Sequence, residues 1–244
     1  MLNFKSLLLA LTIGGASLLI ISCGGTKAPE PTTGGQIGGT VPHPTYSYTR
    51  VRTNEPLVAL TFDDGPSISN TPKLLQILKD KDVRATFFMI GQNVAAHPDI
   101  VKQVAAAGHE IGSHTWSHPH LSRLSVDAVT AELQKTQDAI EKVTGNKPHY
   151  LRPPYGDFTN DQRQWVHQKF GYDFIFWDVD PNDWQKPGVN VVISRIVSGT
   201  RSGSIILLHD IHADSVAAVP EIIDQLKAKG FRFVTVSELL AAEK

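Results

Sequence analysis

The chain reads as an α/β domain whose parallel strands form a distorted barrel of the (β/α)7 type. Two observations lead there. From Pro56 to the C-terminus, short β-rich runs alternate strictly with helical patterns, which implies a parallel sheet with the helices as crossovers. About seven such units in roughly 190 residues suit a closed or distorted barrel better than an open sheet. A doubly wound sheet is the runner-up. Its nucleotide-binding forms lose support because no Gly-x-Gly-x-x-Gly follows the first strand and no Gly-Lys-Ser/Thr loop occurs.

The first unit is the run Leu57 to Phe62, LVALTF, followed by the helical TPKLLQILKDKD from Thr71. The second, Ala85 to Ile90, precedes a helix begun by His97-Pro98. Its proline sits in the first turn, Ile100, Val101 and Val104 share one face, and Gly108 ends it. The third run, EIGSH from Glu110, leads through a loop into a long helix from Ser125 to Val143, closed by Gly145. Then come HYLRPP with a helix from Asp161 to Phe170, and DFIFWDV with one from Val191 to Val197. SIILLH pairs with Val219 to Ala228, and FRFVTV with the closing helix Ser237 to Ala242.

The N-terminal stretch is of another kind. Met-Leu-Asn-Phe-Lys is followed by an apolar run from Leu7 to Ile21 that stops at Ser22-Cys23-Gly24, the layout of a signal peptide over residues 1–22. That run is short for a membrane span, which takes about 20 residues. Ile20-Ile21-Ser22-Cys23 resembles a bacterial lipobox. The resemblance implies cleavage before Cys23 and lipidation of its thiol, with several acyl chains anchoring the chain to the outer face of a bacterial membrane, periplasmic or extracellular. Cys23 is the only cysteine, so no intrachain disulfide can form. Residues 23–55 are rich in Pro, Gly and Thr and read as a flexible linker, leaving 56–244 as the folded domain.

A formal net charge of −1 from 23 basic and 24 acidic side chains carries no footprint of a nucleic-acid binder. No nucleotide cofactor is expected either. Of the ten histidines, His43, His97, His109, His149 and His167 fall outside any usable pattern. The others follow strand ends, where barrels of parallel strands place their chemistry. Asp63 and Asp64 follow the first strand, His114 and His118 the third, Arg152 the fourth, Asp180 and Asp183 the fifth, and His209 ends the sixth.

Asp63 and Asp64 lie in TFDDGP, where the Gly65-Pro66 turn can swing both carboxylates toward one cavity despite their like charge. Like charges held together call for a cation. His114 and His118, in HTWSH, lie four apart and face one side if the segment makes a helical turn. Two imidazoles and one carboxylate leave coordination positions open, the catalytic pattern for zinc and not the closed structural one. His109-Glu110 before His114 imitates the metalloprotease helix, but that motif needs its second histidine four positions on, and Gly108 and Gly112 argue against a helix. No Gly-x-Ser-x-Gly elbow is present, which disfavours an α/β serine hydrolase.

TFDDGP, HTWSH, RPPYG from Arg152 to Gly156, DPNDW from Asp180 to Trp184 and LLH from Leu207 to His209 appear in that order. Together they resemble the five motifs of the polysaccharide deacetylase family, the NodB-homology domain or carbohydrate esterase family four. The resemblance covers about Pro56 to Lys244 and implies that family's distorted barrel and a divalent-metal-dependent removal of acetyl groups from sugar polymers. It implies Asp64, His114 and His118 as metal ligands, Asp63 as catalytic base, and Arg152 as the residue that orients the base. Asp183 is placed against the catalytic acid, His209. Pro153, Tyr155, Trp184 and Leu207 contact substrate, with the backbone N–H of Tyr155 at the oxyanion, Trp184 in a groove wall and Leu207 at the acetyl pocket. Pro181 stands where the family more often carries a small residue.

Physical chemistry runs beside the resemblance. A zinc-like ion acidifies water and polarises the acetyl carbonyl, so Asp63 need only accept a proton. The amine leaves well only when protonated, which a charged His209 can arrange, and a neighbouring Asp183 favours that charge. His120 and His212 are expected at most to line the groove. Asp178 and Asp180 are expected as loop or capping groups, and Trp116 and Trp177 as core.

The expected function is N-deacetylation of N-acetylglucosamine residues in a cell-envelope polysaccharide, peptidoglycan or a chitin-like oligosaccharide. The expected cofactor is one Zn2+, with Co2+, Ni2+ or Mn2+ also suited to Asp-His-His. An O-deacetylase using the same site and a non-catalytic glycan-binding envelope lipoprotein are the alternatives. Intact Asp63 and His209 speak against the second, because binding alone needs neither base nor acid.

Overall fold

The structure, a computed structural model, describes residues 46–244. The expected signal peptide, Cys23 and residues 23–45 of the expected linker lie outside the described residues. Eight strands run in chain order as β1 (Ser47–Tyr48), β2 (Leu57–Asp63), β3 (Thr86–Met89), β4 (Glu110–Ser113), β5 (Tyr150–Leu151), β6 (Asp173–Ile175), β7 (Ile205–His209) and β8 (Arg232–Val234). The helices are α1 (Thr71–Asp80), α2 (Gly91–Ala96), α3 (Pro98–Ala106), α4 (Val126–Thr144), α5 (Asn160–Phe170), α6 (Val189–Gly199), α7 (Ala213–Ala228) and α8 (Val236–Ala241).

All strand pairs are parallel, in the order β1-β6-β5-β4-β3-β2-β7, with β8 also on β2. The ring closes irregularly. Just past β6, Val179 bridges Ile206 of β7, and the Leu207 N–H donates to the Val179 carbonyl at 2.9 Å. The barrel is therefore distorted, as expected.

Side-chain parity along β2 decides what faces where, because successive strand residues point to opposite faces. Val58, Leu60 and Phe62 pack with Leu74 and Leu78 of α1 in the outer core under the helices. Leu57 and Ala59 join Phe88, Ile175 and Ile205 in a second cluster, on the face where Thr61 and Asp63 meet Arg152. All seven residues of β2 are buried, which is why it reads as an unbroken apolar run up to its threonine and aspartate. Burying one such leucine or phenylalanine contributes about 1.5–3 kcal/mol.

Residues 46–55, placed in the linker by composition, belong to the folded body. β1 pairs with β6, the Phe174 N–H donates to the Tyr46 carbonyl at 2.7 Å, and Val51 is buried with its N–H on the Gly203 carbonyl at 3.0 Å. Scattered Tyr46, Tyr48 and Val51 supply the apolar contacts, too sparse to stand out among the polar residues between them.

The long helix matches its expected limits, with the Ser125 hydroxyl accepting from the Ala128 N–H at the start and Gly145 at φ 78° at the end. Two helices differ. α7 starts at Ala213, ahead of the expected start at Val219, and carries Pro220 in its interior. α2 was not expected at all. It begins at Gly91, whose N–H donates to the Thr115 carbonyl, and a Cβ there would lie 2.6 Å from the Trp116 ring and 2.7 Å from the Thr136 hydroxyl. Only glycine lets α2 come this close to α4 and to the loop carrying the histidines.

Candidate active site at the barrel mouth

Every site residue expected from the sequence, except Arg152 and Asp183, lines one cavity of about 550 Å3 at the C-terminal ends of the strands. Those two lie buried behind it, bonded to the base and acid candidates. β2 and β7 pair so that Asp63 is directly opposite His209, which puts both side chains on one face.

Asp64 follows the end of β2 with φ 73°, the left-handed region, and this turns its carboxylate from the strand direction toward the histidines. Its Oδ1 lies 3.5 Å from His114 Nε2 and 3.4 Å from His118 Nε2. The ligating atoms of the three residues all fall within 4.8 Å of one another. Nδ1–H of His114 donates to the Arg152 carbonyl at 2.6 Å, a bond that selects the tautomer with a lone pair on Nε2. Burial, opposed by Asp64, pushes the His114 pKa down to about 3, so the ring is neutral and able to ligate. Asp64 Oδ1 is itself buried with no hydrogen-bond partner. An orphaned carboxylate oxygen between two neutral-capable imidazoles fits a divalent cation.

The mouth concentrates unusual backbone. Asp64, Thr115, His118, Tyr155 and Asn182 all have φ between 52° and 73°. For a β-branched residue such as Thr115 that is a true outlier, and such positions cost about 1–3 kcal/mol each, held only where the surroundings over-determine them. Part of the restraint is visible: Asn93 donates to the Asp64 carbonyl at 2.8 Å, and the His118 N–H to the Thr115 hydroxyl at 3.2 Å.

Arg152 is fully buried. Its Nη1 donates to Asp63 Oδ1 at 2.7 Å and to the Thr61 hydroxyl at 2.7 Å, its Nε to the Ile175 carbonyl at 3.0 Å and its Nη2 to the Phe176 carbonyl at 3.1 Å. The guanidinium lies over the Phe88 ring, 4.2 Å from its centroid. Burial pushes the Asp63 carboxyl above the usual carboxylate range, and the Arg152 charge pulls it back. With Oδ1 tied to Arg152, Oδ2 is left to accept a proton, 3.8 Å from His114 Nε2.

His209 Nδ1 donates to Asp183 Oδ1 at 2.8 Å, and the His209 backbone N–H donates to Asp183 Oδ2 at 2.8 Å. The Ser215 hydroxyl also donates to Oδ2. Burial opposes a charged ring, but the Asp183 hydrogen bond and charge outweigh it, with Asp63 and Asp64 adding, and the His209 pKa rises to about 9. His209 therefore carries a proton at neutral pH, with Nε2–H left for the cavity. Asp183 opens a short 3-10 turn after the left-handed Asn182, whose N–H is capped by Asp180 Oδ1 at 2.7 Å.

The walls are aromatic. Trp184 and Tyr155 are 54% and 60% exposed, the ordinary place for rings that meet a sugar face and not for core. Tyr155 stacks on His120 with centroids 4.1 Å apart and meets the His118 edge at 4.6 Å. Pro153 and Leu207 complete the apolar lining.

Asp178 and Asp180 behave as the loop groups expected, Asp178 accepting from the Ser204 hydroxyl and the Ile205 N–H. Trp177 is half-buried against the inner cluster and also lines the cavity, two residues past the end of β6 and thus of the same parity as Ile175. Asn182 at the mouth went unnoticed. So did Asp210, fully buried beside His209, bonded by the Thr71 hydroxyl and pushed up to about 7 by burial against that bond, with Asp64 and Asp63 adding.

Residues 50–175 match the sequence profile described as Polysaccharide deacetylase. The peptidoglycan-N-acetylglucosamine deacetylase PgdA of Listeria monocytogenes is 41% identical over 190 residues, 78% of this chain and 40% of that protein. The chain thus spans well under half of that relative's length. A peptidoglycan-N-acetylglucosamine deacetylase of Bacillus cereus is 41% identical over 200 residues, 80% of this chain and 93% of that protein. The crystal structure of the Bc1960 peptidoglycan N-acetylglucosamine deacetylase, in complex with a naphthalenyl N-oxidanyl-benzamide, superposes with a TM-score of 0.79 at 36% identity, covering 82% of this chain and 96% of that one.

Proposed function

The chain belongs to the polysaccharide deacetylase family, and on that premise we propose that it is a metal-dependent hydrolase removing N-acetyl groups from N-acetylglucosamine residues of a cell-envelope polysaccharide, with peptidoglycan the first candidate and chitin-like oligosaccharides the second. One observation carries the reading. An orphaned Asp64 with His114 and His118, an Arg152-held Asp63 and an Asp183-held His209 surround one cavity, which gives ligands, base and acid together. A pure binding site has no use for the last two.

Asp64, His114 and His118 would hold the ion, for which Zn2+ is our choice and Co2+, Ni2+ or Mn2+ also suit the donor set. When bound, it supplies a Lewis acid that acidifies water and polarises the acetyl oxygen. Asp63 Oδ2 accepts the proton of the attacking water as its oxygen bonds to the acetyl carbon. The carbon–nitrogen bond then breaks as His209 Nε2–H protonates the nitrogen, releasing acetate and a free glucosamine amine. Arg152 keeps Asp63 aimed and Asp183 keeps His209 charged, and Trp184, Tyr155 and Trp177 supply ring faces for the sugar. The sequence Ile20-Ile21-Ser22-Cys23 supports an envelope setting, with the domain tethered by lipid to the outer face of a membrane.

The test is acetate release, with and without chelator, from acetylated glucosamine oligomers, from peptidoglycan and from acetylated xylan. Chelator-sensitive release with matching free amine from either of the first two is expected. Release from xylan esters alone would replace the reading by O-deacetylation. Glycan binding without turnover, unchanged by Asp63→Asn, would replace it by a binding module.

A further inference from the structure

The loop His114 to His118 carries two of the three ligands and two left-handed non-glycine residues, Thr115 at φ 66° and His118 at φ 60°. Such a loop holds its shape only if its backbone groups are satisfied from outside. On one side its carbonyls are taken by α2: Gly91 N–H donates to the Thr115 carbonyl at 2.8 Å and Gln92 N–H to the Trp116 carbonyl at 3.1 Å. On the other side stands a single carboxylate from α4. Glu132 Oε2 accepts from the Trp116 N–H at 2.9 Å and the Ser117 N–H at 2.8 Å, and its Oε1 accepts from the Ser117 hydroxyl at 2.8 Å. These are charge-assisted bonds, stronger than neutral ones, and they fall on the two residues that separate Thr115 from His118.

We propose that Glu132 is a positioning residue of the metal centre, which by clamping the Trp116 and Ser117 amides fixes the left-handed turn that aims His118 at Asp64. Glu132 is not among the residues that line the cavity. Its own helix is anchored, since Ser125 caps α4 and the helix packs closely on α2 at Gly91, so the carboxylate is presented from a rigid base. Without it, two amide donors lose their acceptor, and the loop can relax from two strained residues toward conformations that point His118 elsewhere. The inference rests on the metal-site reading above.

The experiment measures affinity for Zn2+ and Co2+ by competition with a chromophoric chelator, on the full chain and on its Glu132→Ala, Glu132→Gln and His118→Ala variants. Glu132→Ala is expected to weaken binding about tenfold or more, in the range found when ligand-orienting groups are removed. Glu132→Gln should stay within about threefold, because its amide oxygen can take both N–H bonds while its NH2 donates to Ser117. A role in helix stability alone would lower the melting temperature of the metal-free Ala variant and leave affinity unchanged. Wild-type affinity in a folded Glu132→Ala variant, or equal losses in Ala and Gln, overturns the proposal. If the wild-type chain binds no more tightly than His118→Ala, the metal-site reading itself falls and takes the proposal with it.

Discussion

Asp183→Asn tests the assignment of His209 as the acid. The substitution keeps shape and an acceptor oxygen but removes the charge that His209 Nδ1 meets at 2.8 Å. That ring is pushed up to about 9 against its burial, and Asp183 contributes the two largest upward effects, a hydrogen bond and a charge. Without them, burial dominates, and the pKa returns to 6.5 or below. At pH 8 a group with pKa 9 is about nine-tenths protonated and one with pKa 6.5 only about 3%, so the competent fraction falls about thirtyfold. The sign is fixed by the role: an acid works below its pKa, so activity is lost as pH rises through about 9 in the parent and near or below 6.5 in the variant. The assay is the alkaline limb of kcat/KM on an acetylated oligosaccharide, with the His209 ring followed by NMR on the same samples. An unmoved alkaline limb together with a ring still titrating near 9 would refute the reasoning.

Arg152→Ala should cost about 3–5 kcal/mol in urea unfolding, because it leaves the buried Asp63 carboxylate without its partner. Arg152→Lys should also lose more than about 1 kcal/mol, since one ammonium cannot reach Thr61, Asp63 and the Ile175 and Phe176 carbonyls together; stability within about 0.5 kcal/mol of the parent would contradict this. At the far end of the barrel, His109 accepts the Ala85 N–H on Nδ1, and burial, with the Arg84 charge, pushes its pKa down to about 4. The unfolded chain takes up that proton near 6.5, so the stability His109 confers is complete above 6.5 and lost as pH falls to about 4. This is worth at most roughly 3 kcal/mol, trimmed to about 2 by partial access of water. His109→Gln should flatten the dependence of the urea midpoint on pH across that window, and an identical slope would count against it.

What was legible followed from local rules. TFDDGP at the end of an apolar run put Asp63 and Asp64 at a strand end, and Ser125 and Gly145 bounded α4 because an N-cap hydroxyl and a left-handed glycine act within a few residues of themselves. What was not legible depends on contacts distant in sequence. α2 is six residues long and starts where the Thr115 and Trp116 carbonyls receive its first N–H groups, a condition no local window contains. α7 runs through Pro220 because the buried Val216, Val219 and Ile223 outweigh one missing donor. Trp177 meets both core and cavity, a double contact that its place in an apolar run does not announce. Glu132 lies on a helix with no signal beyond an acidic residue on a half-exposed face; its meaning exists only where the loop from Trp116 to Ser117 meets it.

The site is thus assembled from two kinds of scaffold with different tolerances. The proposed base and acid are paired by sheet register: Asp63 and His209 are directly opposed on adjacent strands, and each is braced by a buried charge, Arg152 or Asp183. Changing their separation would mean slipping β2 against β7, which would turn every buried residue of β2 to the wrong face. The proposed ligands hang instead on turns. Asp64, Thr115 and His118 all hold left-handed backbone that the sheet does not enforce, and neighbouring side chains such as Asn93 and Glu132 hold it. Adjacent in sequence, Asp63 and Asp64 therefore belong to different mechanical systems, the one ending a strand and the other beginning a turn. Substitutions among the groups that hold the turns should act on metal affinity and leave the proton-transfer pair intact, while substitutions behind the sheet should act on the pair and on stability together.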